Sequence, residues 1–240
     1  MKVVVKSFRK YVFISIIFVF LLGIYAATQS ELLDVDEIEV VITGGNEISS
    51  DEVVTLSGIS LSQSMISVDS REAESEILKN SWVDEVEVRK DWPDNVLIWV
   101  SLRAAFAHVV TIEGNFATVD INGIVLKSSR MESSSNLVTL LVEKLPVPGA
   151  KVERVQMLLE AAKSITPDLQ KWVKIISPTA NGVRVELEDS VFVDLGTHQD
   201  FTNSMSDLKA VLGQVELTCI QSIDVSIQDN PVVKRDNSRC

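Results

Sequence analysis

Histidine and cysteine are nearly missing from this chain: His108, His198, Cys219 and Cys240 are the only ones in 240 residues. Two cysteines build neither a disulfide framework nor a metal site. Cys219 lies in the apolar stretch VELTCIQSI and reads as a small core residue. HExxH, CxxC, GxSxG and P-loop patterns are absent. His108 sits in the strand-like run AFAHVV and reads as structural, and His198 follows Gly196-Thr197, where it would support a helix cap. The acid pairs Glu186/Glu188 and Asp120/Asp194 carry no convergence that spacing alone reveals. No catalytic, cofactor-binding or metal-ligating residue is assigned, and the expectation is a protein that is not an enzyme. Lysine and arginine are absent from Tyr11 to Ser70. With a net charge of −12 and a pI near 4.7, the chain lacks the cationic stripe that binds phosphate backbones, which excludes nucleic acid as a partner.

What is present is an uneven distribution of charge. Lys2, Lys6, Arg9 and Lys10 give the first ten residues +4, so the remaining 230 carry −16 of the net −12. Between these parts runs an uncharged stretch, 11–30, containing VFISIIFVFLLGIYAA. As a helix rising ~1.5 Å per residue it spans roughly 30 Å, the thickness of a bilayer's hydrocarbon core. Basic before and acidic after orients it with residues 1–10 cytoplasmic and the bulk of the chain outside. The competing reading is a cleaved signal peptide. Its apolar region is ordinarily shorter, and cleavage after Ala26 or Ala27 would leave Ile24 or Tyr25 where a small residue is wanted.

After an acidic connector, 31–36, the pattern is strand, helix, helix, strand, strand. VDEIEVVI (35–42) reads as a strand closed by Thr43-Gly44-Gly45-Asn46. Ser49 and Glu52 fit a capping box, and Gly58 a C-cap. Asp69 opens a second helix with Ala73 and Ile77 on one face. Val86 and Val88 alternate with acids and Arg89, and Val96, Ile98, Val100 and Leu102 share a face, so 83–90 and 95–103 form a hairpin joined by Asp91-Trp92-Pro93-Asp94. Trp82, Trp92 and Trp99 could make a sugar-stacking platform, but they read as packing of this small module. From Ala104 a second region shows hairpins around Asn122-Gly123 and Glu188-Asp189-Ser190, a strand at 137–143, helices at 152–165 and 200–212, and a last strand at 216–227. Residues 234–240 read as a polar disordered tail. The fold class is α+β.

The order Gly45-Asn46, two helices, Ser81-Trp82-Val83, Val86-x-Val88-Arg89-x-x-Trp92-Pro93 and an alternating strand to Arg103 closely resembles the POTRA domain of the bacterial division proteins FtsQ and DivIB. Val119-Asp120-x-x-Gly123, Leu195-Gly196, Leu208-Lys209 and Ile223-Asp224-Val225 resemble the second domain of that family. Three positions depart from the common pattern. Leu102-Arg103 stands in place of Glu-Arg, Ala105 in place of proline, and Ser226 in place of an arginine.

The resemblance implies a cytoplasmic tail at 1–10, a transmembrane helix at 11–30, a POTRA domain at 37–103 and a mixed β domain at 104–233. It implies a non-enzymatic divisome scaffold, single-pass in the cell inner membrane at the division septum. Such a scaffold recruits FtsB (DivIC)-like and FtsL-like proteins and through them helps control the septal peptidoglycan synthase. The partner would add a strand to the edge of the last β-strand, which places Val225, Ser226, Ile227, Asp229, Asn230 and Val233 at the contact. The edge of the 35–42 strand with the first helix is the corresponding POTRA surface. The alternatives are a POTRA-type chaperone or docking module of a secretion or outer-membrane assembly system, and a tethered wall-acting enzyme. The first lacks barrel strands here, and the second lacks a nucleophile–base pair.

Overall fold

The structure, a computed structural model, describes residues 13–23, 33–130, 137–236 and 238. Residues 13–23 are helical and exposed at every position, with Phe13, Phe18 and Phe20 at 65%, 61% and 68%. The rest of the span expected at 11–30 lies outside the described residues, as do the expected cytoplasmic tail, the loop 131–136 and most of 237–240. Among the described residues no helix is long and apolar enough to cross a membrane. The chain separates into two compact units, Met1–Leu102 and Arg103–Cys240.

In the first unit the order is β1 (Glu37–Thr43), α1 (Ser50–Ser57), α2 (Ser70–Ile77), β2 (Val83–Asp91) and β3 (Asn95–Leu102). β3 is central, parallel to β1 and antiparallel to β2. Alternation decides the faces. Val96, Ile98, Val100 and Leu102 are buried with Val53, Ala73 and Ile77 of the helices, while Leu97, Trp99 and Ser101 point to the opposite, partly exposed face. The helix starts are built from side chains, because the first N–H groups of a helix have no partner within it. The Glu52 N–H donates to Ser49 Oγ at 3.2 Å, and the Arg71 and Glu72 N–H groups donate to Asp69 Oδ1. Only half of the expected capping box forms on the side-chain side: Glu52 Oε1 accepts from Asn80 Nδ2 instead. Gly58 closes α1 at φ +67°, a conformation glycine adopts without Cβ strain. Trp82 is half-buried against the core, Trp92 is 54% exposed at the turn, and Trp99 lies under the Arg89 guanidinium.

Among the described residues, the second unit forms a nine-stranded mixed sheet in the order β12-β11-β10-β9-β8-β7-β4-β5-β6. Its strands are β4 (Ala107–Thr111), β5 (Phe116–Val119), β6 (Val125–Ser129), β7 (Val138–Val142), β8 (Val173–Thr179), β9 (Gly182–Leu187), β10 (Phe192–Gly196), β11 (Ile220–Asp224) and β12 (Val232–Arg235). Helices α3 (Gln156–Lys163), α4 (Pro167–Gln170) and α5 (Thr202–Leu212) bring Leu159, Leu169 and Leu208 into one core with Val185, Val193 and Ile223. The final strand is shorter than expected: 217–219 is a single 3-10 turn and β11 ends at Asp224. The tail expected from Lys234 is also corrected, since Lys234 and Arg235 belong to β12 and pair with Ser222 and Ile220. Cys219 is half-buried and disulfide-bonded rather than a packed thiol.

The Asp120-x-x-Gly123 turn shows why those residue types are needed. Asp120 is 3% exposed, and its Oδ1 accepts the Asn122 and Ile124 N–H groups at 2.9 and 2.8 Å. Its Oδ2 accepts from Arg103 Nη1 at 2.9 Å, so the buried carboxylate is both hydrogen-bonded and paired. Gly123 has φ +82°, and a Cβ there would meet Val155 Cγ1 at 2.6 Å. Asp120→Ala strips the turn of its acceptor and leaves the Arg103 charge without this partner. It is expected to lower stability by about 3–5 kcal/mol in urea unfolding of the full chain. A loss within about 0.5 kcal/mol, the ordinary effect of a surface change, would show that the turn closes without it.

Candidate docking edge

An open sheet ends in two outer strands, each with one row of backbone groups unpaired by the sheet. At one end of this sheet the outer strand is β12. The chain reaches it by a parallel crossover: β10 leads through α5 to β11, which lies parallel to β10 with Phe192 opposite Ser222 and Asp194 opposite Asp224. α5 holds the crossover down through buried Met205 and Leu208. Its Lys209 ammonium pairs with the Asp168 carboxylate, and this bond holds the Asp168 carboxyl below its ordinary pKa. β12 then folds back antiparallel on β11, with Ile223 opposite Val233 and Asp224 opposite Val232.

The six residues expected at the contact do not share one edge. Val225 is fully buried, and its N–H donates to the Asp194 carbonyl at 3.0 Å, so it is core. Val233 pairs with Ile223 and packs half-buried against the core. Ser226, Ile227, Asp229 and Asn230 build the connection between β11 and β12. The Ser226 N–H donates to Asp224 Oδ1 at 2.9 Å. The Asn230 N–H donates to the Ile227 carbonyl at 3.2 Å. Asp229 has φ +58°, and its N–H donates to Asp207 Oδ2 of α5 at 3.0 Å. Of the six, Ile227 alone is a large apolar side chain left in solvent, at 64%. The outermost strand is therefore the one the sequence reading missed. Its only sequence signal was the β-branched pair Val232-Val233 after Pro231, too short to stand out from a polar tail.

His198 proves to be a structural tie. Its Nε2–H donates to the Ser226 carbonyl at 3.0 Å, and its ring meets Phe201 edge-on at 5.9 Å, so it fixes the start of the β11–β12 connection rather than capping α5. The close approach here also sets Gly196. At φ +77°, a Cβ on it would meet Ser226 Cβ at 2.9 Å. His108 is buried, with Nδ1 3.3 Å from Thr118 Oγ1, between two adjacent strands. On the sheet face beside the edge, Arg184 grips Asp194 through two bonds of 2.7 and 3.3 Å and lies over Phe192. The Asp194 bond keeps the Arg184 guanidinium pKa above its ordinary value. Val232, 58% exposed, and Lys234 present side chains at the edge itself.

The two roles separate by mutation. Val225→Ala removes buried methyl groups and is expected to cost about 1–3 kcal/mol, whereas Ile227→Ala stays within about 0.5 kcal/mol. Urea unfolding of both variants measures this, and equal losses would show that Ile227 is packed rather than presented.

Comparison with known proteins agrees with this architecture. Residues 38–101 match the family model described as POTRA domain, FtsQ-type, and residues 107–226 match Cell division protein FtsQ/DivIB, C-terminal. Among curated relatives, the cell division protein FtsQ of Geobacter sp. (strain M21) is 34% identical over 164 residues, covering 68% of this chain and 54% of that protein. The DivIB proteins of Clostridium acetobutylicum and Bacillus cytotoxicus are 22% and 26% identical, covering 80% and 87% of this chain and 79% of each relative. The chain thus spans about half the length of the Geobacter relative. The family match ends at Ser226, before β12. With both domain models met in order and the strand–helix–helix–strand–strand module present as a folded unit, this chain belongs to the FtsQ/DivIB family.

Proposed function

We propose that this chain is a membrane-anchored, non-enzymatic scaffold of the bacterial division complex, whose C-terminal sheet edge receives a strand from an FtsB (DivIC)-like protein held together with an FtsL-like one. The division role is supported by the names of the relatives that cover most of the chain. The anchor is supported by the uncharged run 11–30 between a +4 segment and an acidic remainder. The single observation that supports the docking mode is the position of β12: among the described residues it is the terminal strand of the sheet, with β11 as its one sheet neighbour. A partner strand satisfies the outer backbone groups of β12 at little side-chain cost, and alternate side chains such as Val232 and Lys234 set which partner fits. Ile227 and the 226–230 connection flank the end of that edge and extend the contact. This reading shifts the expected contact outward from Val225 to the strand 232–235. Control of the septal peptidoglycan synthase would follow from the recruited pair, since the chain itself offers structural roles for both histidines.

Hydrogen exchange on the full chain with and without the FtsB/FtsL-type pair tests the docking mode. The amides of 232–235 are expected to slow by at least about tenfold on binding, while those of β6, the opposite end of the sheet, stay unchanged. Binding that leaves 232–235 unprotected would overturn strand addition at this edge. For the wider role, a fluorescent fusion should form a mid-cell band and depletion should give undivided filaments. An even membrane signal with normal division would overturn it.

A further inference from the structure

The acidity of this chain is concentrated in one unit. Residues 33–102 hold sixteen Asp and Glu against four Lys and Arg, which is −12, whereas residues 103–240 hold seventeen against fourteen, which is −3. Within the first unit, both helices cover one face of the three-stranded sheet. Among the described residues of this unit no helix covers the opposite face, whose side chains are exposed or partly exposed. The registers place Glu37, Glu39, Val41 and Thr43 of β1, Leu97, Trp99 and Ser101 of β3, and Glu85, Glu87, Arg89 and Asp91 of β2 on it. Five carboxylates thus face one cation.

Toward the Thr43, Ser101 and Glu85 end of that face is a depression of about 210 Å³ lined by Val41, Thr43, Glu85, Glu87, Trp99 and Ser101. The register irregularity between Val83 and Glu85 lies beside it, on the outer strand β2. Its chemistry is that of a cation receptor: an indole face, two carboxylates on one side and hydroxyls on the other. The protein already illustrates this preference. The Arg89 guanidinium lies 4.8 Å from the Trp99 ring centre while its Nε donates to Glu87 at 2.7 Å. Glu85 is exposed on the other flank of Trp99, opposite Ser101. The volume equals that of about seven water molecules at ~30 Å³ each, enough for one long basic side chain.

We propose that this open face docks a cationic, extended segment of another protein, with one Arg or Lys seated against Trp99 between Glu85 and Val41 and further basic residues along Glu37, Glu39 and Asp91. Charge complementarity selects the occupant. Anionic lipid headgroups and nucleic acid are repelled by a face of this sign. This surface is separate from the β12 edge and does not depend on strand addition there.

The test uses the full chain in discs of neutral lipid and a ten-residue peptide of alternating arginine and serine, followed by titration calorimetry at low salt. Glu85→Gln with Glu87→Gln is compared with Asp51→Asn with Glu72→Gln, which removes the same charge from the exposed starts of α1 and α2. Trp99→Leu removes the indole without changing charge. The expected result is an affinity loss of about tenfold for the sheet-face pair and several-fold for Trp99→Leu, with less than about twofold for the helix pair. Equal losses for the two charge pairs, or no effect of Trp99→Leu, would mean diffuse polyion attraction and would overturn the proposal. Calcium chloride displacing the peptide completely at millimolar concentration, with the same dependence on Glu85 and Glu87, would overturn it in favour of a divalent-cation site.

Discussion

The constraint on which the second unit depends is that a nine-stranded sheet left open must end in unpaired backbone. A barrel would remove the problem by closure, but among the described residues the strand order runs from β6 to β12 without joining. The outermost strand is only four residues long and carries Lys234 and Arg235, two features that limit indiscriminate pairing of an exposed edge. The approach to it is held by many small ties. His198 holds the Ser226 carbonyl, Asp224 holds the Ser226 N–H, and Asp207 reaches from α5 to the Asp229 N–H. Each tie is modest, about 1 kcal/mol for a hydrogen bond of this kind. Together they fix where β12 leaves the connection, and an edge held at a fixed position can receive a partner without first paying for its own ordering.

The legible part of the sequence was the part where one physical signal dominated. In β2, Val86 and Val88 alternate with Glu85, Glu87 and Arg89, which left one possible face for the core, and the paired β3 follows it with Val96, Ile98, Val100 and Leu102 on that face. Ser49, Gly58 and Asp69 marked helix ends because those side chains, or the lack of one, answer a specific backbone need. The second unit was harder because its strands are buried on one or both faces and its elements are short. β4 is buried at all five positions and shows no alternation, and β8 carries Pro178 and borders a parallel neighbour, so neither announces its period. The β11–β12 edge was misread for a related reason. Ile223, Val225 and Ile227 alternate as one strand would, but the chain leaves the strand after Asp224 and Ile227 ends in solvent. The disulfide at Cys219 was equally invisible, since two cysteines in a sequence do not report the distance between them.

The residues that the family resemblance singled out divide sharply by what they do. Asp120, Gly123 and Gly196 answer local geometric demands: a turn that needs a side-chain acceptor, a helix packed against a turn, and two backbones in close approach. Such positions keep the fold and say little about the partner. The outer strand β12, to which the proposed docking is assigned, lies past Ser226, where the family match stops. Main-chain recognition explains how both can hold in one protein. A strand edge offers the same row of donors and acceptors whatever its side chains are, so its sequence is free to vary provided its position is kept. Ser226 contributes its N–H and carbonyl to the connection rather than its side chain, so this position holds the approach to the edge through its backbone.

The charge contrast between the units extends this division of labour. A backbone edge gives affinity but little discrimination, and long-range charge gives encounter rate and discrimination but little affinity once salt is present. The near-neutral second unit carries the edge, and residues 33–102, at −12, carry an acidic face around Trp99. Placing the two properties on separate folded units lets each change without disturbing the other. A substitution among Glu37, Glu39 and Glu85 alters the field without touching a backbone pair of β12, and a side-chain change at Val232 or Lys234 leaves the acidic face as it was. For a scaffold of the kind proposed, such independence is the physical basis on which partners bound at the two units would be selected separately.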